Sequence, residues 1–148
     1  MRVVVQRVSR ASVEISGEPI AAIDEGLLAL IGVAPSDGPS EAEAAAGKLV
    51  GLRIFADDEG KMNLSVGEVG GSVLLVSQFT LLGETTKGRR PSFTGAAQPE
   101  LAEPLIESLA AAVSERGIPT FTGQFGAHMV VSLVNDGPVT LVLEFPGR

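Results

Sequence analysis

Residues 27–34 read LLALIGVA and residues 73–77 read VLLVS. Neither run carries a charge, and neither alternates apolar with polar residues. A half-buried strand would show a polar side chain at every second position. Continuous apolar runs of this length, bounded by turn residues, fit strands buried on both faces. Working outward from 27–34, the Val- and Ile-rich segments 3–8 (VVVQRV) and 11–15 (ASVEI) read as strands. Gly17 and Pro19 mark a turn into a short apolar stretch, Ile20 to Ile23. Pro35 to Pro39 is a break. Residues 40–52 then read as a helix with Glu41 and Glu43 near its start, where acids suit the helix dipole.

Further on, Arg53 to Phe55 reads as a short strand and DDEGK at 57–61 as a polar turn. Residues 83–98 hold Gly83, Gly88, Pro91 and Gly95 among many Ser and Thr, so they form a long surface loop, and such loops are often functional. Residues 99–116 carry the second helix. Pro99 suits a first helical position, whereas Pro104 requires a start there or a kink. Two strands are expected at the end of the chain. In 124–134, Phe125, Ala127, Met129, Val131 and Leu133 share one face, and 139–145 (VTLVLEF) follows. The expected fold class is α+β: a single domain over 1–148, with a mixed or mostly antiparallel sheet and two main helices.

Composition narrows the chemistry. The 148 residues are 45% hydrophobic and 20% charged, which excludes disorder as the main state. No apolar run approaches the ~20 residues of a membrane span, and MRVVVQRVSR lacks the pattern of a signal peptide, so a cytoplasmic location is expected, with no membrane partner. The chain has no cysteine, which removes disulfides, thiolate metal sites and thiol nucleophiles together. His128 is the single histidine, and its strand neighbours Gly126 and Val130 offer no carboxylate for a Ser-His-Asp triad. There is no P-loop or dinucleotide fingerprint, and no metal or cofactor is expected. The formal net charge of −7 argues against a general DNA or RNA coat protein, because phosphate neutralisation drives such binding. Six of the 11 basic residues are concentrated, at Arg2, Arg7 and Arg10 and at Lys87, Arg89 and Arg90. Taken alone, both groups read first as solvated surface, with a small local phosphate contact still open.

Three segments can carry chemistry. Ser77-Gln78-Phe79-Thr80 leaves a buried strand with hydrogen-bonding side chains and with backbone amides that could face a ligand. It also reads as a plain strand end. Asn135-Asp136-Gly137-Pro138 has the composition of a hairpin turn, yet a cis Gly-Pro pair would make a rigid backbone probe. The loop from Lys87 to Phe93 could grip phosphate, or could be a solvated basic loop.

These residues carry a resemblance that runs almost end to end. RVVVQRVSRASVEI at 2–15, GLLALIGV at 26–33, LRIFADDEGKMNLS at 52–65, SQFTL at 77–81, KGRRPSFTGAA at 87–97 and NDGPVT at 135–140 resemble the D-aminoacyl-tRNA deacylases. SQFTL and the Gly-Pro segment are that family's two signature motifs, and their joint appearance in this order is highly specific. The resemblance implies a fold built on a sheet or barrel with flanking helices. It also implies a homodimer in which a cis Gly137–Pro138 reaches into the partner's pocket. The implied reaction is hydrolysis of the ester joining a D-amino acid to the 3′ acceptor end of tRNA, assisted by the substrate's ribose 2′-hydroxyl, in chiral proofreading of translation. Ser77, Gln78, Phe79 and Thr80 would form the catalytic segment, with oxyanion donors around Phe79 and Thr80. Gly137 and Pro138 would hold the amino group and exclude L side chains, with Arg7 in support and Met129 at the substrate. Lys87, Arg89 and Arg90 would meet tRNA phosphates. Glycine should also enter, so action on glycyl-tRNA is expected. In that family an acidic residue usually stands where this chain has His128, and the resemblance assigns His128 no role. A covalent nucleophile at Thr80 and a non-catalytic nucleic-acid-binding module are the two rival readings.

Overall fold

The computed structural model describes residues 1–145, so the last three residues of the domain expected over 1–148 lie outside the described residues. The N-terminal segments that read as two strands form one, β1 (Arg2–Ile15). It is followed by β2 (Glu18–Ile23) and β3 (Gly26–Gly32). One edge of β1 pairs first with β3 through residues 2–8 and then with β2 through residues 11–15, both antiparallel. A long strand can serve two shorter ones in this way, so Ser9 and Arg10, left between the two segments, continue it.

Helix α1 (Pro39–Gly51) leads into a small hairpin, β4 (Phe55–Ala56) and β5 (Met62–Leu64), with the acidic turn at its tip. Strand β6 (Ser72–Ser77) lies parallel to β3, and β7 (Thr120–Thr122) lies parallel to β6. The short strand β7 was not expected from the sequence, because three residues between Pro119 and Gly123 show no periodicity. The sheet is therefore mixed, in the order β2-β1-β3-β6-β7, and its curl brings β2 near β6 and β7. The α+β class with two helices and a nearly closed, barrel-like sheet holds.

The two apolar runs behave as their composition requires. Leu27, Ala29 and Ile31 of β3 and Val73 and Leu75 of β6 face a core shared with α1 and α2 (Pro99–Glu115). Leu28, Leu74 and Val76 face a second, smaller core with Val8, Val13 and Ile23. Both strands are thus buried on both faces. Helix α2 begins at Pro99 and runs through Pro104. The proline lies on the exposed side, early in the helix, where the missing amide costs one bond to the first turn and its ring meets solvent.

The C-terminal region departs most from expectation. Residues 124–129 are not strand. Gly126 has φ +78° and the Ala127 amide donates to the Gln124 carbonyl, so the chain turns there. Strand β8 (Val130–Glu144) then runs unbroken through Asn135-Asp136-Gly137-Pro138. The hairpin-turn reading of that segment is incorrect. Both halves of β8 pair with the same strand, β1, so the chain does not reverse. Instead Val8 pairs with Asn135 and Gln6 with Thr140, two steps on β1 against five on β8. The three extra residues leave the ladder as a large bulge.

Candidate active site

At the end of β6 the Gln78 amide still donates to the Ile31 carbonyl, 2.8 Å, extending the ladder by one residue. The chain then tightens into a 3-10 turn, Phe79–Leu82, closed by Leu81 N to Gln78 O and Gly83 N to Thr80 O. The first amides of any helical turn have no partner behind them. Here the Phe79 and Thr80 amides take no hydrogen-bond acceptor among the described residues, and both residues are exposed. The Gln78 side-chain amide donates to the Thr80 hydroxyl, which fixes both side chains beside those amides.

This turn stands at the mouth of a cavity of about 500 Å³. Ser77, Gln78 and Phe79 form one wall, Phe125 to Met129 another, and Ala96 to Pro99 with Ala102 and Ile106 a third. His128 is the single ionisable side chain among the lining residues, and it is exposed. The cavity has no carboxylate pair, and among the described residues no cluster of three His, Cys, Asp or Glu could hold a metal. What it offers is an apolar pocket with backbone donors at the rim, which suits binding a neutral or aromatic group and stabilising a developing oxyanion. A nucleophilic Thr80 would need a base, and its partner Gln78 has none to offer.

The bulge on β8 is a second, separate feature. The Gly137–Pro138 peptide is cis, and Asp136, Gly137 and Pro138 are exposed. Asn135 holds the base of the bulge: its amide nitrogen donates to the Val139 carbonyl at 2.9 Å and its oxygen accepts the Val139 amide at 3.1 Å. Arg7 holds the flank. Its Nε donates to the Asp136 carbonyl at 2.8 Å, and its Nη1 donates to the Ile54 carbonyl at 2.6 Å. The Asp136 carboxylate lies 3.5 Å from the same guanidinium. Neither Gly137 nor Pro138 has a partner in the register between β8 and β1, and no side chain donates to their carbonyls among the described residues. Gly137 has no room for a side chain, because an added Cβ would come 2.4 Å from the Val139 nitrogen and 2.7 Å from its Cγ2.

The structure thus gathers Ser77, Gln78, Phe79 and Met129 around the cavity, with Thr80 beside its mouth. Arg7, Gly137 and Pro138 come together elsewhere and line no part of that cavity. Lys87, Arg89 and Arg90 are exposed on the loop between the turn and α2. An antiparallel bridge between Glu84 and Ser92 closes this loop, and the Thr86 amide donating to Glu84 holds that carboxyl below its ordinary value. Sequence reasoning missed the cavity's third wall, Ala96 to Ile106. Small and apolar residues at a helix start carry no signal of a pocket until the turn is placed opposite them.

Among the described residues no helix is long and apolar enough to cross a membrane. A family model described as D-Tyr-tRNA(Tyr) deacylase matches residues 4–144. The D-aminoacyl-tRNA deacylase of Desulfatibacillum aliphaticivorans is 62% identical over 144 residues, covering 97% of this chain and 99% of that protein. The one from Opitutus terrae is 59% identical over 149 residues, covering 100% and 99%. Among solved structures, one titled c-Myc DNA Unwinding Element Binding Protein superposes with a TM-score of 0.93 at 41% identity, covering 99% of this chain and 100% of that one. A probable eukaryotic D-amino acid tRNA deacylase superposes with a TM-score of 0.82 at 18% identity, over 96% and 97%, and shares the fold. On a family model spanning nearly the whole chain and relatives of equal length at such identity, this chain belongs to the D-aminoacyl-tRNA deacylase family.

Proposed function

We propose that this protein hydrolyses the ester of D-aminoacyl-tRNA, releasing the free D-amino acid and tRNA. The observation that carries the reading is the pair of unpartnered amides at Phe79 and Thr80, opening at the mouth of a cavity that holds no nucleophile–base pair. An aminoacyl ester is already activated, so positioning a water and stabilising an oxyanion suffice. Water, assisted by the ribose 2′-hydroxyl, attacks the ester carbon. The carbonyl oxygen gathers charge against the two amides. The bond to the ribose 3′-oxygen then breaks, and that oxygen leaves with a proton.

Chirality is read by main chain. The outward carbonyls of Gly137 and Pro138 receive the substrate's amino group and leave no space for an L side chain. A D side chain points away, and glycine has none, so glycyl-tRNA is also a substrate, including tRNA for alanine mischarged with glycine. Because the bulge lies apart from the cavity of its own protomer, it serves a second copy in a homodimer. Strand β8 supports this arrangement. Its outer edge pairs with no strand among the described residues, and it exposes Val130, Val134 and Val142. Lys87, Arg89 and Arg90 hold phosphates of the acceptor end. The setting is the cytoplasm, where translation is proofread.

The test is deacylation of matched D- and L-aminoacyl-tRNA, with light scattering at micromolar concentration. D-selective turnover by a dimer is expected. Equal rates on both forms remove the chiral reading, and full activity as a monomer removes the shared site. The rival, a non-catalytic nucleic-acid-binding module, would bind duplex or single strands and turn nothing over. One structural neighbour bears a DNA element in its name, but the net charge of −7 disfavours DNA as a partner here.

A further inference from the structure

The chain has six phenylalanines and no tryptophan or tyrosine. Two of those six, Phe79 and Phe93, stand out from the surface together at the cavity mouth, 54% and 37% exposed. Their rings meet edge to face, centroids 5.3 Å apart and planes at 81°. In that geometry each ring keeps at least one face that its partner does not cover. Fully burying a phenylalanine is worth roughly 1.5–3 kcal/mol, so a fold with a core close by forgoes part of that gain at two neighbouring rings.

Phe93 is also held in place. The Glu84–Ser92 bridge, with hydrogen bonds of 2.7 and 2.9 Å, pins the residue before it. Gly83 lies against the ring so closely that a Cβ there would come 2.9 Å from Phe93 Cε1. The loop closed by that bridge carries Lys87, Arg89 and Arg90, all exposed, in a chain that is otherwise acidic. A rigid exposed aromatic ring beside a local run of cations is the pairing that proteins use on single-stranded nucleic acid. Bases stack on the ring while the cations follow the phosphates.

We propose that Phe93, steadied by Phe79, is a stacking platform for an unpaired base of the tRNA acceptor end, on the 5′ side of the terminal nucleotide. The terminal nucleotide itself takes the cavity, and the two rings line its mouth, where the preceding base would meet them. The assignment rests on the aminoacyl-tRNA reading above, and it makes the enzyme selective for substrates with a single-stranded end.

The chain's composition supplies the probe. Phe93→Trp places a single indole in the full-length protein. Titration with the trinucleotide CpCpA should quench its fluorescence saturably, and a blunt RNA duplex at equal phosphate should not. In parallel, Phe93→Leu keeps an apolar side chain but removes the stack. Its KM for D-aminoacyl-tRNA should rise by about 5- to 150-fold with kcat held, and this penalty should exceed the one on D-aminoacyl-adenosine by the same factor. Phe93→Tyr should restore KM. Equal penalties on the two substrates, or no quenching by CpCpA, overturn the proposal. A fluorescence change driven by protein concentration alone also overturns it, and would assign the rings to an interface between copies. Should the wild type turn over neither substrate, the deacylase reading fails, while the CpCpA titration still decides the stacking.

Discussion

Replacing Arg7 with alanine removes the clamp on the β8 bulge. Two hydrogen bonds go, Nε to the Asp136 carbonyl at 2.8 Å and Nη1 to the Ile54 carbonyl at 2.6 Å. A bond from a charged donor is worth about 1.5–3 kcal/mol, so the pair would cost about 3–6 kcal/mol if both carbonyls were left dry. They are not equally dry. Asp136 is exposed, and water can replace the guanidinium there, whereas Ile54 is 7% exposed. The expected loss of unfolding free energy is therefore that of one bond, about 1.5–3 kcal/mol, read as a lower urea midpoint at unchanged slope. The bulge meanwhile loses its fixed direction. On the proposed mechanism its carbonyls then miss the substrate's amino group, and kcat/KM on D-aminoacyl-tRNA should fall by about 10- to 100-fold, since each factor of ten needs only about 1.4 kcal/mol. Arg7→Lys should recover part of the stability but little activity, because an ammonium cannot span two carbonyls as a planar fork does. Full activity in a stably folded Arg7→Ala protein would refute the reasoning.

Gly137→Ala puts a methyl group 2.4 Å from the Val139 nitrogen, so the bulge must deform; D-aminoacyl-tRNA turnover should drop at least tenfold while circular dichroism stays native, and wild-type kinetics would count against a role for this segment. Changing Lys87, Arg89 and Arg90 together to alanine should weaken tRNA binding and lower the salt slope by about 0.7–0.9 per lost contact, measured by filter binding between 50 and 200 mM salt; an unchanged slope would take phosphate away from this loop. Glu41 accepts the Ser40 hydroxyl and the Gly38 amide, and the Ser40 bond first of all holds its carboxyl below the ordinary value. The unfolded chain therefore binds the proton more readily, so this contribution is present at neutral pH and is lost as pH falls through the acid range. Glu41→Gln should flatten that part of the urea-midpoint profile between pH 6 and pH 3, and an unaltered profile would show that the cap contributes nothing.

Much of the fold was legible where one physical demand dominated. The runs at 27–34 and 73–77 declared their double burial because no polar residue interrupts them, and α1 was marked by a proline break before it and by Glu41 in its first turn. The bulge was not legible, because Asn, Asp, Gly and Pro look the same whether a chain reverses or steps out of a ladder. Only the length of β1, which pairs with both halves of β8, decides between them. The break at Gly126 was hidden for a similar reason. Alternation from Phe125 to Leu133 mimics a strand, and a single glycine at positive φ ends it. Of the candidate site, the turn at Phe79 and Thr80 was readable as a strand end rich in hydrogen-bonding groups. Its cavity was not, since the third wall comes from a helix whose small residues announce only packing.

The turn at Phe79–Leu82 and the bulge at Gly137–Pro138 present peptide groups, which no point mutation deletes except one to proline, which removes an amide N–H. An enzyme that depends on a serine or a histidine can be silenced by a single codon change at that residue. Here the amides and carbonyls persist through almost any exchange of side chain, and loss must come by moving the backbone. Descendants of this chain are therefore free to vary a side chain such as that of Thr80, provided the ladder to Ile31 and the Arg7 clamp keep the main chain in place, whereas Gly137 is held because a Cβ there has no room. An inhibitor meets the same property from the other side. Contacts made to such groups give resistance mutations few ways to arise, and a thiol-reactive compound finds no cysteine in the chain to modify.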